Sequence, residues 1–422
     1  MKKQMRRIVM SNIKKPELLA PAGDLEKLKI AVLYGADAVY IGGEAYGLRA
    51  KAKNFDIPTM KEGIEFAHSH GAKVYVTANI FAHNSDFEGM GEYFRQIKEI
   101  GADAVLVSDP GVYMTLKEAA PDLELHISTQ ANNTNYKTAN FWYNMGAKRI
   151  VGARELSLKE IKEMRQNIPE DMEIETFVHG AMCISYSGRC LLSNYLSGRD
   201  ANKGACSHPC RWKYFLMEET RPGEYMPVEE NERGTFIFNS KDLCMLQFIP
   251  ELVDAGISSL KIEGRMKTPF YVGTVVKAYR QAIDDYFEDP EYYRSRIDYY
   301  MEEVSKASHR DYTTGFYFGK PGHDDQVYTS NTYIRDYDFI GMVQEDRDDS
   351  TGCAIVMQRN KFEVGDEIEV LPQKGDSVNM TVEKMWDEEG NPIMSAPHPE
   401  QIVKLETSIP LKKYDMLRKA SK

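Results

Sequence analysis

The sequence has no long hydrophobic run. None of its apolar stretches approaches the ~20 residues that a membrane-spanning helix needs. The basic N-terminal stretch is followed by Ser-Asn-Ile-Lys-Lys, where a signal peptide would need an apolar core. We therefore expect a cytoplasmic protein with no membrane contact. A content of 42% hydrophobic and 28% charged residues is typical of a globular chain with a sizeable core.

Several motifs of hydrolases and nucleotide-binding proteins are also missing. The chain has no H-E-x-x-H zinc-protease motif and no G-x-S-x-G around any serine. No G-x-G-x-x-G follows the first predicted strand, where Pro21-Ala22-Gly23 is a poor substitute. A protease that uses one of these motifs is therefore excluded. A thiol–imidazole pair of Cys183 and His179 is the remaining arrangement that would suit proteolysis.

Cysteine is scarce except in one segment. Four of the six cysteines follow the spacing C-x6-C-x15-C-x3-C, namely Cys183, Cys190, Cys206 and Cys210. Thiolates are soft ligands, and four of them in one loop suit zinc or an iron–sulfur cluster. Only the last pair has the tight spacing of structural zinc sites, whereas iron–sulfur sites tolerate wider spacings. Both metals stay open at this point, as do four ordinary buried cysteines.

A repeated pattern led by glycine predicts the fold. Five segments begin with a glycine suited to ending a helix and continue as a short apolar run, starting at Gly35, Gly71, Gly101, Gly146 and Gly256. With residues 16–20, 124–128 and 173–178 they make eight strands that mostly alternate with helices. Such strands indicate a parallel sheet covered on both faces. The pattern therefore predicts an α/β fold, a (β/α)8 TIM-like barrel over residues 14–310, with a doubly wound open sheet as the runner-up.

Polar residues follow the predicted strands. In a (β/α)8 barrel the reacting groups lie at the C-terminal ends of the strands. The residues at these ends are Glu44, Asn79, Asp109, Gln130, Glu155, His179, Glu263 and Arg265. Each of them alone is as typical of a helix cap or a surface loop as of a reaction site. We also expect the eighth strand at 258–262, a closing helix at 271–286 and one more helix at 289–309.

The segment after the seventh strand is too long for an ordinary loop, and residues 179–235 are predicted to form a cysteine-rich insertion over the barrel mouth. Its first part, from His179 to Lys213, is the most basic stretch of a chain whose formal net charge is −11. The basic residues of this stretch stand against Asp200 alone: Arg189, Arg199, Lys203, Arg211 and Lys213. With Tyr186, Tyr195 and Trp212 between them they suit binding and stacking of unpaired RNA bases. The alternative is that the arginines only keep a metal-binding loop soluble.

Beyond residue 330 the pattern changes to short strands joined by polar turns. The strand-like stretches are 337–344, 353–359, 366–371, 378–385 and 402–406. They predict a small C-terminal antiparallel β-barrel over residues 330–415. Accessory barrels of translation factors have a similar pattern, which is an analogy of fold alone.

The cysteine segment resembles the signature of the U32 family, historically labelled collagenase-like peptidases. The pattern is Glu175-x-Phe177-x2-Gly180-Ala181-Met182-Cys183-x4-Gly188-x-Cys190-x-Leu192-Ser193. Residues 16–23, PELLAPAG, and 239–243, NSKDL, are similar to further family segments, so the resemblance spans essentially the whole chain. The tRNA-modifying branch resembles the chain best, because it shares the cysteine spacing and a C-terminal β domain.

The resemblance implies a tRNA uridine hydroxylase. Members of this branch are associated with prephenate-dependent hydroxylation of wobble uridine-34 to 5-hydroxyuridine. The resemblance implies a [4Fe–4S] cluster on Cys183, Cys190, Cys206 and Cys210, with prephenate as a co-substrate. Cys244 is the alternative fourth ligand, because ubiquinone-hydroxylating relatives place one there. Cys210 is favoured, since its closeness to Cys206 lowers the cost of loop closure.

Further expectations concern the reacting groups and the partners. Glu175, which opens the signature, and His179, near the end of the same strand, are the candidate catalytic residues. The expected partners are tRNA, prephenate and, as in some bacteria, a shorter U32 paralogue. Three alternatives stay open: proteolysis, hydroxylation of a cytidine in ribosomal RNA, and a scaffold without catalysis.

Overall fold

The computed structural model describes most of the chain. The described residues are 14–44, 46–47, 54–182, 192–197, 199, 207, 215–216, 226–227, 239–320, 326–327 and 333–421. All four clustered cysteines lie outside them, and so do the predicted RNA-binding residues Arg189, Lys203, Arg211 and Lys213. Arg199 is described and exposed.

Eight parallel strands close into a barrel. In chain order they are β1 Glu17–Pro21, β2 Ala38–Gly42, β3 Lys73–Ala78, β4 Ala104–Val107, β5 Glu124–Ile127, β6 Arg149–Val151, β7 Glu173–Ala181 and, as the eighth barrel strand, β12 Ser259–Ile262. Strand β12 pairs in parallel with both β1 and β7, so the sheet has no free edge between them. The predicted (β/α)8 barrel and all eight of its strands are confirmed.

Helices cover the outside of the barrel. Those between the first seven strands are α1 Leu25–Leu33, α2 Ile57–Ser69, α3 Met90–Glu99, α4 Pro110–Ala119, α5 Tyr136–Asn144 and α6 Leu158–Gln166. The glycines of the repeat end the preceding helices in the left-handed region, as at Gly71 with φ 77° and Gly101 with φ 91°. Asp24, Asp56 and Ser157 cap three helix N-termini by accepting main-chain hydrogen bonds.

The chain after β7 departs from a simple barrel. The described elements between β7 and β12 are α7 Leu192–Ser197, β8 Phe215–Leu216, β9 Met226–Pro227, β10 Asn239–Ser240, β11 Asp242–Cys244 and α8 Ile249–Asp254. Strand β11 pairs antiparallel with the last three residues of β7, so β7 is longer than predicted. After β12 come α9 Pro269–Glu288, α10 Pro290–Ser295, α11 Ile297–Ser305, β13 Tyr312–Thr313 and β14 Gln326–Val327. The single helix predicted at 289–309 is therefore two helices that meet at Arg296.

The C-terminal part is antiparallel, as predicted. Its strands are β15 Tyr337–Asp348, β16 Cys353–Gln358, β17 Phe362–Glu363, β18 Glu367–Leu371, β19 Val378–Thr381, β20 Met385–Trp386, β21 Pro392–Ile393, β22 Ser395–Ala396, β23 Ile402–Glu406 and β24 Met416–Ala420. Eight of them form one sheet in the order β19-β18-β24-β15-β16-β23-β20-β21, which gives a half-barrel with its own apolar core.

The C-terminal sheet packs on the side of the barrel. The fully buried guanidinium of Arg418 donates to Glu303 of α11 at 2.8 Å and to Glu369 of β18 at 2.6 Å. The hydroxyl of Tyr34 donates to the main-chain oxygen of Leu371 at 2.8 Å. The C-terminal sheet therefore docks through the outer helices α1 and α11. No helix in the described part of the chain is long and apolar enough to cross a membrane.

Candidate functional site

The barrel mouth collects polar residues from several strand ends, as the sequence predicted. Asp109 is one of them, but its carboxylate caps α4 by accepting from the main-chain nitrogens of Gly111 at 2.7 Å and Val112 at 3.2 Å. Glu44 is exposed at the rim. Glu155 is half-buried, and burial raises the pKa of its carboxyl group. Of these three predicted residues, Asp109 is a helix cap, whereas Glu44 and Glu155 lie at the mouth.

Arg154 connects three strand ends and was missed by sequence reasoning. Its guanidinium donates to the main-chain oxygen of Ala181 at 3.0 Å and to the carboxylate of Glu263 at 3.0 Å. It also lies over the ring of Phe177, at 4.0 Å from the ring centroid. Ala181 is the last residue of β7, so Arg154 fixes the strand that leads into the cysteine segment. The only available signal in the sequence was its position three residues after the end of β6.

Arg265 lies on the opposite part of the mouth. Its guanidinium donates to the hydroxyl of Thr77 at 3.1 Å and to the side-chain oxygen of Asn54 at 2.9 Å. A Cβ atom at Gly42 would lie 2.4 Å from the same guanidinium, so only glycine leaves room for it there. Arg265 thus lies at the mouth, as predicted, and its guanidinium reaches the ends of β2 and β3.

Neutral polar side chains occupy the sector between β3 and β6. The amide nitrogen of Asn79 donates to the hydroxyl of Ser128 at 3.0 Å. Ser108 donates to the main-chain oxygen of Asn79 at 2.9 Å. Gln130 follows Ser128 in a short 3-10 turn over Thr129–Ala131. Apart from Asp109, which caps α4, these residues offer amides and hydroxyls as hydrogen-bonding groups.

Glu175 lies inside the barrel and is fully buried. Its two carboxylate oxygens accept from Lys261 at 2.7 Å and from Arg149 at 3.0 Å. Burial alone would raise the pKa of Glu175, but the charges of Lys261 and Arg149 and the hydrogen bond from Lys261 outweigh burial and hold the pKa below its ordinary value. Glu175 is therefore an ionised member of a buried ion network.

The network continues toward the N-terminal end of the barrel. Arg149 also donates to Glu17 at 2.6 Å and to Glu173 at 2.6 Å. The hydroxyl of Tyr75 donates to Glu17 at 2.6 Å. Buried charges of this kind need partners on every side, and here three carboxylates surround one guanidinium. The position of Glu175 beneath the mouth could not be read from the signature that contains it.

His179 is buried among aromatic rings. The rings of Tyr271, Tyr279 and Tyr312 lie 6.0, 5.6 and 5.5 Å from the imidazole, centroid to centroid. Burial, reinforced by the positive charges of Lys267 and His309, lowers the pKa of His179 to about 3. The imidazole is therefore neutral at physiological pH. This environment differs from the open mouth in which the sequence predicted it.

Cys244 lies beside His179, because the two residues are opposite each other in the β11–β7 pair. Its sulfur is 4.0 Å from the hydroxyl of Tyr279 and 4.0 Å from the sulfur of Met301. Burial raises the pKa of the Cys244 thiol to about 11. In this apolar layer the thiol stays protonated, whereas a metal ligand is a thiolate.

Several described residues are close in sequence to the clustered cysteines. Strand β7 ends at Ala181, and Met182, buried at the mouth, directly precedes Cys183. The main-chain nitrogen of Ser207 donates to the hydroxyl of Ser193 at 2.9 Å. Ser193 follows Cys190 by three positions and Ser207 follows Cys206 directly, so this bond joins two cysteine-bearing segments. Within the described ranges no three His, Cys, Asp or Glu residues come together to hold a metal ion.

Comparison with known proteins agrees with the architecture. Residues 23–327 match Peptidase family U32, and residues 335–418 match the Peptidase family U32 C-terminal domain. The chain is 45% identical over 406 residues to "tRNA hydroxylation protein P1" of Bacillus subtilis, covering 96% of this chain and 95% of that protein.

Two further relatives come from Escherichia coli. "tRNA hydroxylation protein P" is 39% identical over 424 residues, covering 91% of this chain and 92% of that protein. "23S rRNA 5-hydroxycytidine C2501 synthase" is 38% identical over 273 residues, covering 65% of this chain and 40% of that protein. The matched regions include both the barrel with its cysteine segment and the C-terminal sheet, and the chain belongs to peptidase family U32.

Proposed function

We propose that the chain hydroxylates wobble uridine-34 of tRNA to 5-hydroxyuridine. The observation that carries this proposal is the similarity, over nearly the full length of both chains, to a protein named for tRNA hydroxylation. The match to the rRNA-modifying relative covers only 65% of this chain. A tRNA substrate is therefore favoured over a ribosomal one.

The proposed redox centre is a [4Fe–4S] cluster on Cys183, Cys190, Cys206 and Cys210. Four thiols are a complete ligand set for such a cluster. Two described features support their convergence at the mouth: β7 ends one residue before Cys183, and the Ser193–Ser207 hydrogen bond joins the segments after Cys190 and Cys206. Replacing C5–H of uracil by C5–OH is an oxidation that needs an oxygen donor, and a cluster held by these four thiols would supply electrons or activate that donor.

We assign the fourth ligand position to Cys210 and not to Cys244. Cys244 packs against Tyr279 and Met301 on the outer face of β11, in contact with the covering helices α9 and α11. Leaving that layer would break the β11–β7 pair, in which Cys244 is opposite His179. Cys210 is only four positions from Cys206 in the sequence, and this closeness lowers the cost of loop closure.

The insertion, rather than the C-terminal sheet, is proposed to hold the RNA. Residues 333–421 contain 18 acidic and 11 basic side chains, a balance that repels a phosphate backbone. Arg199, the described member of the predicted basic set, is exposed. Prephenate as co-substrate and a U32 paralogue as partner belong to the same proposal.

Supporting roles are proposed for the two candidate catalytic residues. Glu175 is enclosed by Lys261 and Arg149, so it holds β6, β7 and β12 in place beneath the mouth. His179 fills the space between β7 and α9 as a neutral ring against Tyr279. Both therefore position the end of β7, from which the cysteine segment starts.

The experiment is a mass analysis of wobble nucleosides from a strain that lacks the gene. Loss of 5-hydroxyuridine derivatives, restored by the wild-type chain and not by Cys183→Ser, is the expected result. A redundant pathway is removed by deleting any second U32 gene in the same strain. Unchanged 5-hydroxyuridine in that strain would overturn the proposal, and loss of 5-hydroxycytidine from ribosomal RNA instead would assign the other substrate.

Cleavage of casein or gelatin by the purified protein would favour the peptidase alternative. Cys183→Ser again serves as the matched variant, since proteolysis through a thiol would need the same residue. Retained tRNA modification in Cys183→Ser would indicate the scaffold alternative.

A further inference from the structure

The neutral sector of the mouth contains a hydrogen bond between strands that are not neighbours. Asn79 follows β3 and Ser128 follows β5, while β4 lies between these two strands in the sheet. Their 3.0 Å bond therefore spans the end of β4, where Ser108 donates to the main-chain oxygen of Asn79. Hydrogen bonds therefore connect these three residues across the ends of β3, β4 and β5.

Two amide oxygens of this sector have no hydrogen-bond partner among the described residues. The side-chain oxygens of Asn79 and Gln130 are shielded from solvent, and neither accepts a hydrogen bond from any described residue. An acceptor that is taken from water without a partner destabilises the protein, and most buried polar groups are satisfied. An acceptor of this kind indicates a ligand that brings its own N–H donor.

The chemistry of the sector selects a neutral, planar ligand. Side-chain amides offer one acceptor and two donors each, which is the set that binds the edges of nucleobases. An anionic ligand would instead be held by arginine in a charge-assisted pair. Enzymes that modify a base take it out of the stack and bind its Watson–Crick edge in a pocket. Uracil presents an N3–H donor on that edge, between two carbonyl oxygens.

We propose that Asn79 and Gln130 bind the Watson–Crick edge of the uracil that is modified. This assignment rests on the proposed function and identifies residues that determine its specificity. An amide oxygen accepts from N3–H, and the amide nitrogen of Gln130 donates to a uracil carbonyl. Binding by this edge leaves C5–H on the free side of the ring, where the reaction takes place.

The test measures binding, so it does not depend on turnover. Two anticodon stem-loops are compared, one with uridine and one with 3-methyluridine at position 34, which replaces N3–H by N3–CH3 and keeps both carbonyl groups. The wild-type protein should bind the uridine form about tenfold tighter, the effect of one hydrogen bond to a buried acceptor. Asn79→Ala combined with Gln130→Ala should bind both stem-loops equally, at the affinity of the wild type for the 3-methyluridine form.

The matched control is Asn144→Ala, which removes an exposed amide at the end of α5 on the outside of the barrel. It should keep the tenfold preference. The comparison of stem-loops on the wild-type protein needs no variant, so misfolding of the double variant does not affect it. Equal binding by the wild type overturns the base-binding assignment, while the nucleoside analysis of the deletion strain decides the hydroxylation proposal separately. A preference that persists in a folded double variant also overturns the assignment.

Discussion

The guanidinium of Arg154 donates a 3.0 Å hydrogen bond to the main-chain oxygen of Ala181, two residues before Cys183. The same guanidinium binds Glu263 at 3.0 Å and covers the ring of Phe177. One side chain therefore connects the ends of β6, β7 and β12. The end of the strand that leads into the cysteine segment is held from the side as well as by its own sheet.

Arg154→Ala is expected to lower both stability and iron content. It removes the hydrogen bonds that Arg154 donates to the main-chain oxygen of Ala181 and to the carboxylate of Glu263, which costs about 1–3 kcal/mol of unfolding free energy. Chemical denaturation and an iron assay measure the two effects. Arg95→Ala, at an exposed ion pair with Glu92, is the control and should change stability by no more than about 1 kcal/mol. Full iron content in Arg154→Ala would show that the end of β7 is fixed without this residue.

Glu175→Gln is expected to be strongly destabilising. It removes a negative charge that neutralises the buried Lys261 and helps to neutralise Arg149, and breaking a buried pair costs about 3–5 kcal/mol. Glu163→Gln changes the same group on an exposed face of α6 and should be nearly neutral. Equilibrium unfolding in denaturant distinguishes the two. Equal free energies of unfolding for the two variants would contradict a stabilising role of the ion network inside the barrel.

The pH dependence of stability should show a contribution from His179. Its pKa falls from 6.5 in the unfolded chain to about 3 in the folded one, so the folded state binds fewer protons between these values. This contribution is complete above pH 6.5 and decreases as the pH falls toward 3. His179→Phe, which cannot be protonated, should have a flatter profile over that interval. An imidazole NMR resonance of His179 that titrates near neutral pH would refute this account.

Docking of the C-terminal sheet should depend on Arg418. Arg418→Met keeps a side chain of similar volume but removes the guanidinium that pairs with the carboxylates of Glu303 and Glu369. The expected cost is about 3–5 kcal/mol of unfolding free energy. Calorimetry should then show the sheet unfolding before the barrel. Lys384→Met, at an exposed pair with Glu406, should retain the wild-type transition. An unchanged transition in Arg418→Met would assign docking to the apolar contacts, such as Phe270 on Phe339.

Local patterns predicted the strands, because a glycine that ends a helix and the apolar run after it are neighbours in the chain. Gly101 and Ala104–Val107 illustrate this case. The extension of β7 was not predictable, since it depends on pairing with β11, some 60 residues later.

The sequence predicted which strand ends carry the polar residues of the candidate site. It did not predict which side chains contact one another. Asn79 and Gln130 were placed at the mouth from their position after apolar runs, and the structure brings them to one polar sector. The roles of Arg154 and Lys261 depend on partners from distant strands, and a single sequence contains no signal for such pairs. The interior position of Glu175 was hidden for the same reason.

The most direct test of the central claim is the iron and sulfide content of anaerobically purified protein. The account predicts a brown protein with about four irons per chain in the wild type and in Cys244→Ser, and loss of the cluster in Cys210→Ser. A colourless, zinc-loaded wild type would contradict the iron–sulfur centre. Loss of iron in Cys244→Ser with full retention in Cys210→Ser would contradict the assigned ligand set.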